Sequence, residues 1–142
     1  MLKKSNADFV TLLIGVNDWV QGSTKEEFRE NLARLLDEIQ NHVTNRKNVI
    51  VITIPDFSAT PTGKQFGNGR DISKGIDEFN EIIIEESIKR NLTFVDINPA
   101  TKDMANDFEL IASDGLHPSK KEYEIWEKMI YPVALGMVKG IK

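Results

Sequence analysis

Cysteine is absent from the chain, which excludes disulfides, thiolate catalysis and zinc–thiolate sites and says little about compartment. Histidine occurs only twice, as His42 and His117. With no His-x-x-x-His pair and no carboxylate-rich loop, neither a metal nor a cofactor is expected. Basic residues are in the minority, 18 against 22 acidic ones for a net charge of −4, and no basic run exceeds the pair Lys120-Lys121. Nucleic acid is therefore not an expected partner, because that binding rests on neutralising many phosphates. No apolar run approaches the roughly 20 residues of a membrane span. Lys3 and Lys4 ahead of the run Phe9 to Val16 resemble the start of a signal peptide. The run is short, however, and Asn17-Asp18 ends it without a small-residue cleavage site, so it reads as a strand and a cytoplasmic location is the default expectation.

What is present is ordinary for a globular protein: 142 residues, of which 40% are apolar and 28% charged. A chain of this length fits one domain over residues 1–142 and buries roughly two-thirds of its unfolded surface. The run Phe9-Val10-Thr11-Leu12-Leu13-Ile14 predicts a strand covered on both faces, as in parallel sheets. After a loop from Asn17 to Gly22, Ser23 or Thr24 can form a capping box with Glu26 or Glu27. The helix that follows reaches about Val43, with Phe28, Leu32, Leu35, Leu36, Ile39 and Val43 on one stripe and His42 beside it, partly exposed. Val49 to Ile54 predicts a second buried strand, closed by Pro55.

Residues 55–70 form the longest irregular stretch, of a length that is commonly functional or mobile and equally compatible with a solvated surface loop. A second long helix spans about Ile72 to Arg90, with Asn91 as a left-handed cap. Thr93 to Ile97 predicts a third strand. A last helix opens at Ser119, with a second capping box to Glu122 and Tyr123, Trp126, Met129, Ile130, Val133 and Met137 turned inward. Pro132 is expected to kink it. The order β-α-β-α-β-α predicts an α/β fold, a three-layer sandwich on a parallel sheet. Three strands are few for such a sheet, which usually has about five.

Asp114 and His117 lie three residues apart at the opening of the last helix. In a turn or helix that spacing puts both side chains on one side, so the carboxylate can hold the imidazole in one tautomer and stabilise it when it takes a proton. The same spacing also serves for ordinary capping on a protein surface. A second stretch favours chemistry: Gly15-Val16-Asn17-Asp18, at the end of the first strand.

Together these stretches resemble two motif blocks of the SGNH hydrolases, the GDSL-type esterases and lipases. Gly15-Val16-Asn17-Asp18 resembles the block whose asparagine donates to the oxyanion hole, and Asp114-Gly115-Leu116-His117 the block whose aspartate and histidine complete a Ser-His-Asp triad. Leu12-Leu13-Ile14, Ile54-Pro55-Asp56 and Pro118-Ser119 match the flanks. The resemblance runs from Phe9 to the C-terminus and implies a flavodoxin-like sheet and hydrolysis of a small acyl or acetyl ester. By that resemblance His117 and Asp114 are the catalytic base and its orienting partner, and Asn17 is the oxyanion donor.

The family's Gly-Asp-Ser block, with the nucleophile, and its glycine block have no counterpart here. None of Ser5, Ser23, Ser58, Ser73, Ser87, Ser113 and Ser119 sits in a strand-to-helix turn after Gly-Asp. The chain is thus expected to be a truncated SGNH domain lacking the first two strands and inactive alone. Its apolar edge strand Phe9 to Ile14 is expected to pair with a partner or a second copy. The alternative is a non-catalytic binding or assembly module derived from such an enzyme.

Overall fold

The computed structural model describes residues 7–140. Three strands, β1 (Val10–Leu13), β2 (Val49–Ile52) and β3 (Thr93–Val95), form a parallel sheet in the order β1-β2-β3. Val10 pairs with Val49 and Ile50 with Thr93, and both registers run on without a break. Helices α1 (Val16–Gln21) and α2 (Lys25–His42) connect β1 to β2; α3 (Ile72–Lys89) connects β2 to β3; α4 (Asn98–Thr101) and α5 (Lys120–Lys139) follow.

Alternation along the strands divides the core between two faces. Val49 and Val51 pack with α2 and α3, joined by half-buried Val10 and Leu12. Ile50, Ile52, Val95 and Ile97 pack on the other face with Trp126 of α5. The result is a helix–sheet–helix sandwich, as the patterning predicts. Between α2 and the sheet the stripe Phe28, Leu32, Leu36 and Ile39 is buried, and Phe28 stacks on Phe79 of α3 at 4.2 Å. Truncating fully buried Leu36 or Ile83 costs about 2–5 kcal/mol through lost transfer energy and the cavity left behind. Thr24 and Glu27 form the reciprocal capping box that starts α2, and Asn91 adopts the left-handed cap after α3 with φ 54.

Several expectations are corrected. Residues 16–21 form a helix rather than a loop. β1 is covered mainly on one face: Val10 and Leu12 pack against the α2–α3 core, whereas Thr11 is exposed and Leu13 is 40% exposed on the other face. It sits at the edge of the described sheet with β2 as its one neighbour. In α5, Tyr123 is 53% exposed and Glu122 takes the buried place instead. Trp126 Nε1 donates to Glu122 Oε1 at 2.6 Å, so Glu122 does not reach back to Ser119 and only half of the second capping box forms. The helix continues through Pro132. No described helix is long and apolar enough to cross a membrane.

Candidate active site

The turn that carries Asp114 and His117 is fixed by its own backbone. Ala112 N–H donates to the His117 carbonyl at 2.8 Å, Gly115 N–H donates to the Ala112 carbonyl at 2.9 Å, and Ile111 forms an antiparallel bridge to Pro118. Asp114 Oδ1 accepts the amides of Leu116 (2.9 Å) and His117 (3.0 Å), leaving Oδ2 to meet His117 Nδ1 at 2.6 Å. The ring hydrogen bond, reinforced by the two amides, lowers the Asp114 carboxyl to about 2. An ionised acceptor at Nδ1 makes that nitrogen the donor and leaves Nε2 with a lone pair, the tautomer a general base needs. The pair is open to solvent, with the side chains of His117 and Asp114 69% and 51% exposed. Ser119 is held away from the ring, donating to the Glu109 carbonyl at 2.6 Å and accepting the amide of Glu122 to start α5.

Asn17 is placed by the sharp exit from β1. Gly15 has φ +122, and a Cβ there would come within 2.6 Å of Ile54 and 2.9 Å of Phe28, so only glycine lets the chain turn this tightly over the core. The turn feeds directly into α1, whose second residue is Asn17, exposed, while Trp19 one half-turn on is buried.

Residues 55–70 lie between these two pieces. They leave β2 through a set of buried polar contacts. Asn80 Nδ2 and Asn98 Nδ2 donate to the Ile54 carbonyl, Asn80 Oδ1 accepts the Ile54 amide, and Thr101 Oγ1 accepts the Asp56 amide. The stretch contains two short 3-10 turns, Phe57–Ala59 and Gly63–Gly67. Two side chains tie it down. Thr62 donates its hydroxyl to the Asp114 carbonyl at 3.2 Å and its amide to the Gly115 carbonyl at 3.0 Å. Arg70 donates to the carbonyls of Trp19 (2.8 Å) and Val20 (3.2 Å) at the end of α1. The long stretch is thus neither a free lid nor a plain surface loop, since it is bonded both to the turn of Asp114 and to the end of α1.

Between the three lies a cleft of about 200 Å³. Val16, Asn17 and Val20 line one side, Pro55, Phe57 and Phe66 another, and Leu116, His117 and Pro118 the third. Asn17 and His117 therefore share one cavity, with Asp114 directly behind the imidazole. No serine among the described residues lines it. The hydroxyls of Ser73, Ser87 and Ser119 bond elsewhere, to Asp56, Ile83 and Glu109; Ser5 lies outside the described residues. Among the described residues no group of three His, Asp or Glu side chains is placed to hold a metal ion.

Phe57, Phe66, Thr62 and Arg70 were invisible to sequence reasoning because their contacts are non-local. The only advance signal was the length of the stretch that carries them and its departure from the carboxyl end of a parallel strand.

No curated protein matches this sequence. Solved structures do. A lipase/acylhydrolase from Enterococcus faecalis is 28% identical, with TM-score 0.68 over 91% of this chain and 62% of its own. An acetylxylan esterase from Geobacillus stearothermophilus shares the fold at 23% identity and TM-score 0.65, over 88% of this chain and 58% of its own. So does a GDSL-like lipase from Bacteroides thetaiotaomicron, at 18% identity and TM-score 0.70, over 91% and 62%. The chain spans about 60% of the length of these proteins. With residues 1–125 matched by the family model for GDSL-like lipases and acylhydrolases, the chain belongs to the GDSL-like lipase/acylhydrolase family.

Proposed function

We propose that this chain carries the base, the orienting carboxylate and one oxyanion donor of a serine-type carboxylic ester hydrolase, whose nucleophilic hydroxyl comes from polypeptide beyond these residues. The observation that carries the reading is the 2.6 Å contact from His117 Nδ1 to Asp114 Oδ2 at a cleft shared with Asn17. In the proposed cycle a serine Oγ attacks the ester carbonyl while His117 Nε2 takes its proton. The carbonyl oxygen becomes an oxyanion held by the Asn17 amide. The intermediate collapses, the C–O bond to the alcohol breaks, and the departing oxygen takes the proton back from His117. Water then repeats the sequence on the acyl-serine. Asp114 stays ionised throughout and stabilises the imidazolium.

Magnitudes divide the labour. Losing an oxyanion donor costs on the order of 3–4 kcal/mol, whereas losing the serine of a triad costs about a million-fold in turnover, because the members act as a unit. The 142-residue chain alone is therefore expected to be nearly inactive. The test is hydrolysis of short-chain p-nitrophenyl esters by this chain and by a version extended on its N-terminal side, each with and without His117→Ala. Activity only in the extended form, abolished by the substitution, is the expected result. Undiminished activity after His117→Ala would remove His117 from the mechanism.

A second reading, a non-catalytic binding or assembly module, is favoured by one observation: no serine among the described residues lines the cleft. It predicts ester binding without labelling by a serine-directed fluorophosphonate in any form of the protein.

A further inference from the structure

The cleft beside His117 is apolar almost throughout. Among the described residues its only polar side chains are Asn17 and His117, and no described lysine, arginine, aspartate or glutamate lines it. A sugar or a charged group placed there would lose its hydration with few partners to replace it, whereas a hydrocarbon loses nothing. Size narrows the choice. An apolar cavity of about 150 Å³ takes a benzene ring, and this cleft measures about 200 Å³, which corresponds to roughly six to eight heavy atoms.

One lining residue differs from the rest. Phe66, on the second 3-10 turn, is the only apolar lining side chain that is exposed, at 37%, while Phe57 is buried. An exposed ring beside a hydrocarbon site gains by covering a ligand. Its backbone is not loose: Thr62 and Arg70 bracket it and bond to the turn of Asp114 and to the end of α1.

We propose that this cleft takes the acyl part of an uncharged ester of about six to eight carbons, and that Phe66 sets its length. The assignment of the ligand as an ester rests on the hydrolase reading above; the selection by length rests on the cleft alone. Each methylene that enters multiplies affinity about fourfold, until the cleft is full.

The experiment is an amide-shift NMR titration of the 142-residue protein with the methyl esters of acetic, butanoic and hexanoic acid. The hexanoate, with four more methylenes, is expected to bind on the order of a hundredfold more tightly than the acetate, moving the amides of Val16, Val20, Phe57, Phe66 and Leu116. Phe66→Ala is expected to weaken hexanoate binding about three- to tenfold and to leave the acetate unchanged. Its surface position keeps the fold intact, which the unchanged remainder of the spectrum verifies. Equal affinity for all three esters, shifts away from the cleft, or an unaltered series in Phe66→Ala would each overturn the proposal. The two readings fail separately. Graded binding with no hydrolysis in the extended protein removes the chemistry and keeps the pocket, and hydrolysis indifferent to chain length does the reverse.

Discussion

Arg70 covers Trp19 and terminates its helix at once: the guanidinium carbon lies 4.0 Å from the ring centroid while Nη1 donates to the Trp19 carbonyl at 2.8 Å. The ring itself is 4% exposed and meets Phe57 edge-on at 5.9 Å. A cation at the C-terminal carbonyls also complements the helix dipole. Six residues of α1 cannot hold themselves together in water, so this contact does much to fix the helix that carries Asn17.

Arg70→Ala is therefore expected to cost about 1–2 kcal/mol, from the lost cation–π contact and the charged hydrogen bonds. Arg70→Lys should recover little, because an ammonium has no fork to span two carbonyls. Urea midpoints give the stability. Hydrogen exchange should show the loss concentrated at α1, and a uniform loss over the whole chain would contradict this role for Arg70.

Gly75→Ala tests the other side of the same ring. A Cβ at Gly75 would lie 2.0 Å from Trp19 Nε1. Trp19 must shift, at about 1–3 kcal/mol for overpacking. A red-shifted tryptophan emission with a lowered urea midpoint is the expected outcome.

Asp114 offers a direct titration. Its carboxyl is held at about 2 chiefly by the His117 ring, so in His117→Ala it should move back towards the ordinary carboxylate range, as read by NMR. The sign follows: a lowered folded value contributes stability above the unfolded value and loses it as pH falls towards about 2. Under the proposed mechanism, Asp114→Asn in an active, extended form should reduce kcat by about ten-thousand-fold, and the stability that the ionised carboxylate contributes above its unfolded value should be lost with the charge.

Glu86 binds α2 to α3. It accepts from Arg29 at 3.1 Å and pairs with Arg90, which also donates to Asp37 at 2.8 Å. Burial works to raise its carboxyl, but the hydrogen bonds from Arg90 and Arg29 prevail and hold it below the ordinary range. Its contribution is thus present at neutral pH and lost on acidification through that lowered value. Glu86→Ala is expected to cost about 3 kcal/mol at neutral pH, leaving half-buried Arg90 with one partner fewer, and clearly less in acid. Urea titrations at both pH values check this.

Glu122 has the opposite sign. It is fully buried, Oε2 has no hydrogen-bond partner among the described residues, and desolvation raises its carboxyl. A raised acid binds more protons folded than unfolded, so its contribution is complete below the unfolded value and is lost as pH rises through the folded one. Glu122→Gln should remove that loss, and the variant's urea midpoint should gain on the wild type as pH rises to neutral.

The long elements were legible because their signals are local and repeated. Phe28, Leu32, Leu36 and Ile39 announce α2, and the β-branched run Val49 to Ile52 announces a strand buried on both faces. α1 reads as a loop in the sequence because it has fewer than two turns and no side-chain cap at Gly15. The spacing of Val16, Trp19 and Val20, with Gly22 behind them, was the signal available. Tyr123 fitted the stripe of α5 and is nevertheless outside, because the partner of Trp126 is Glu122, and no pattern of apolar residues points to a buried carboxylate. The Asp114–His117 contact was readable from a spacing of three. Thr62 and Arg70 were not, since each acts on a segment about fifty residues away and nothing in the chain near them says so.

Those two anchors set the width of the cleft by the length of a span rather than by the sheet. Thr62 fastens one end of residues 62–70 to the turn of Asp114, and Arg70 fastens the other to α1. Shortening or lengthening the chain between them would narrow or widen the opening while every strand kept its register. The width of the cleft and the folding of the domain can then drift independently, one by small insertions and deletions, the other by the identity of the core.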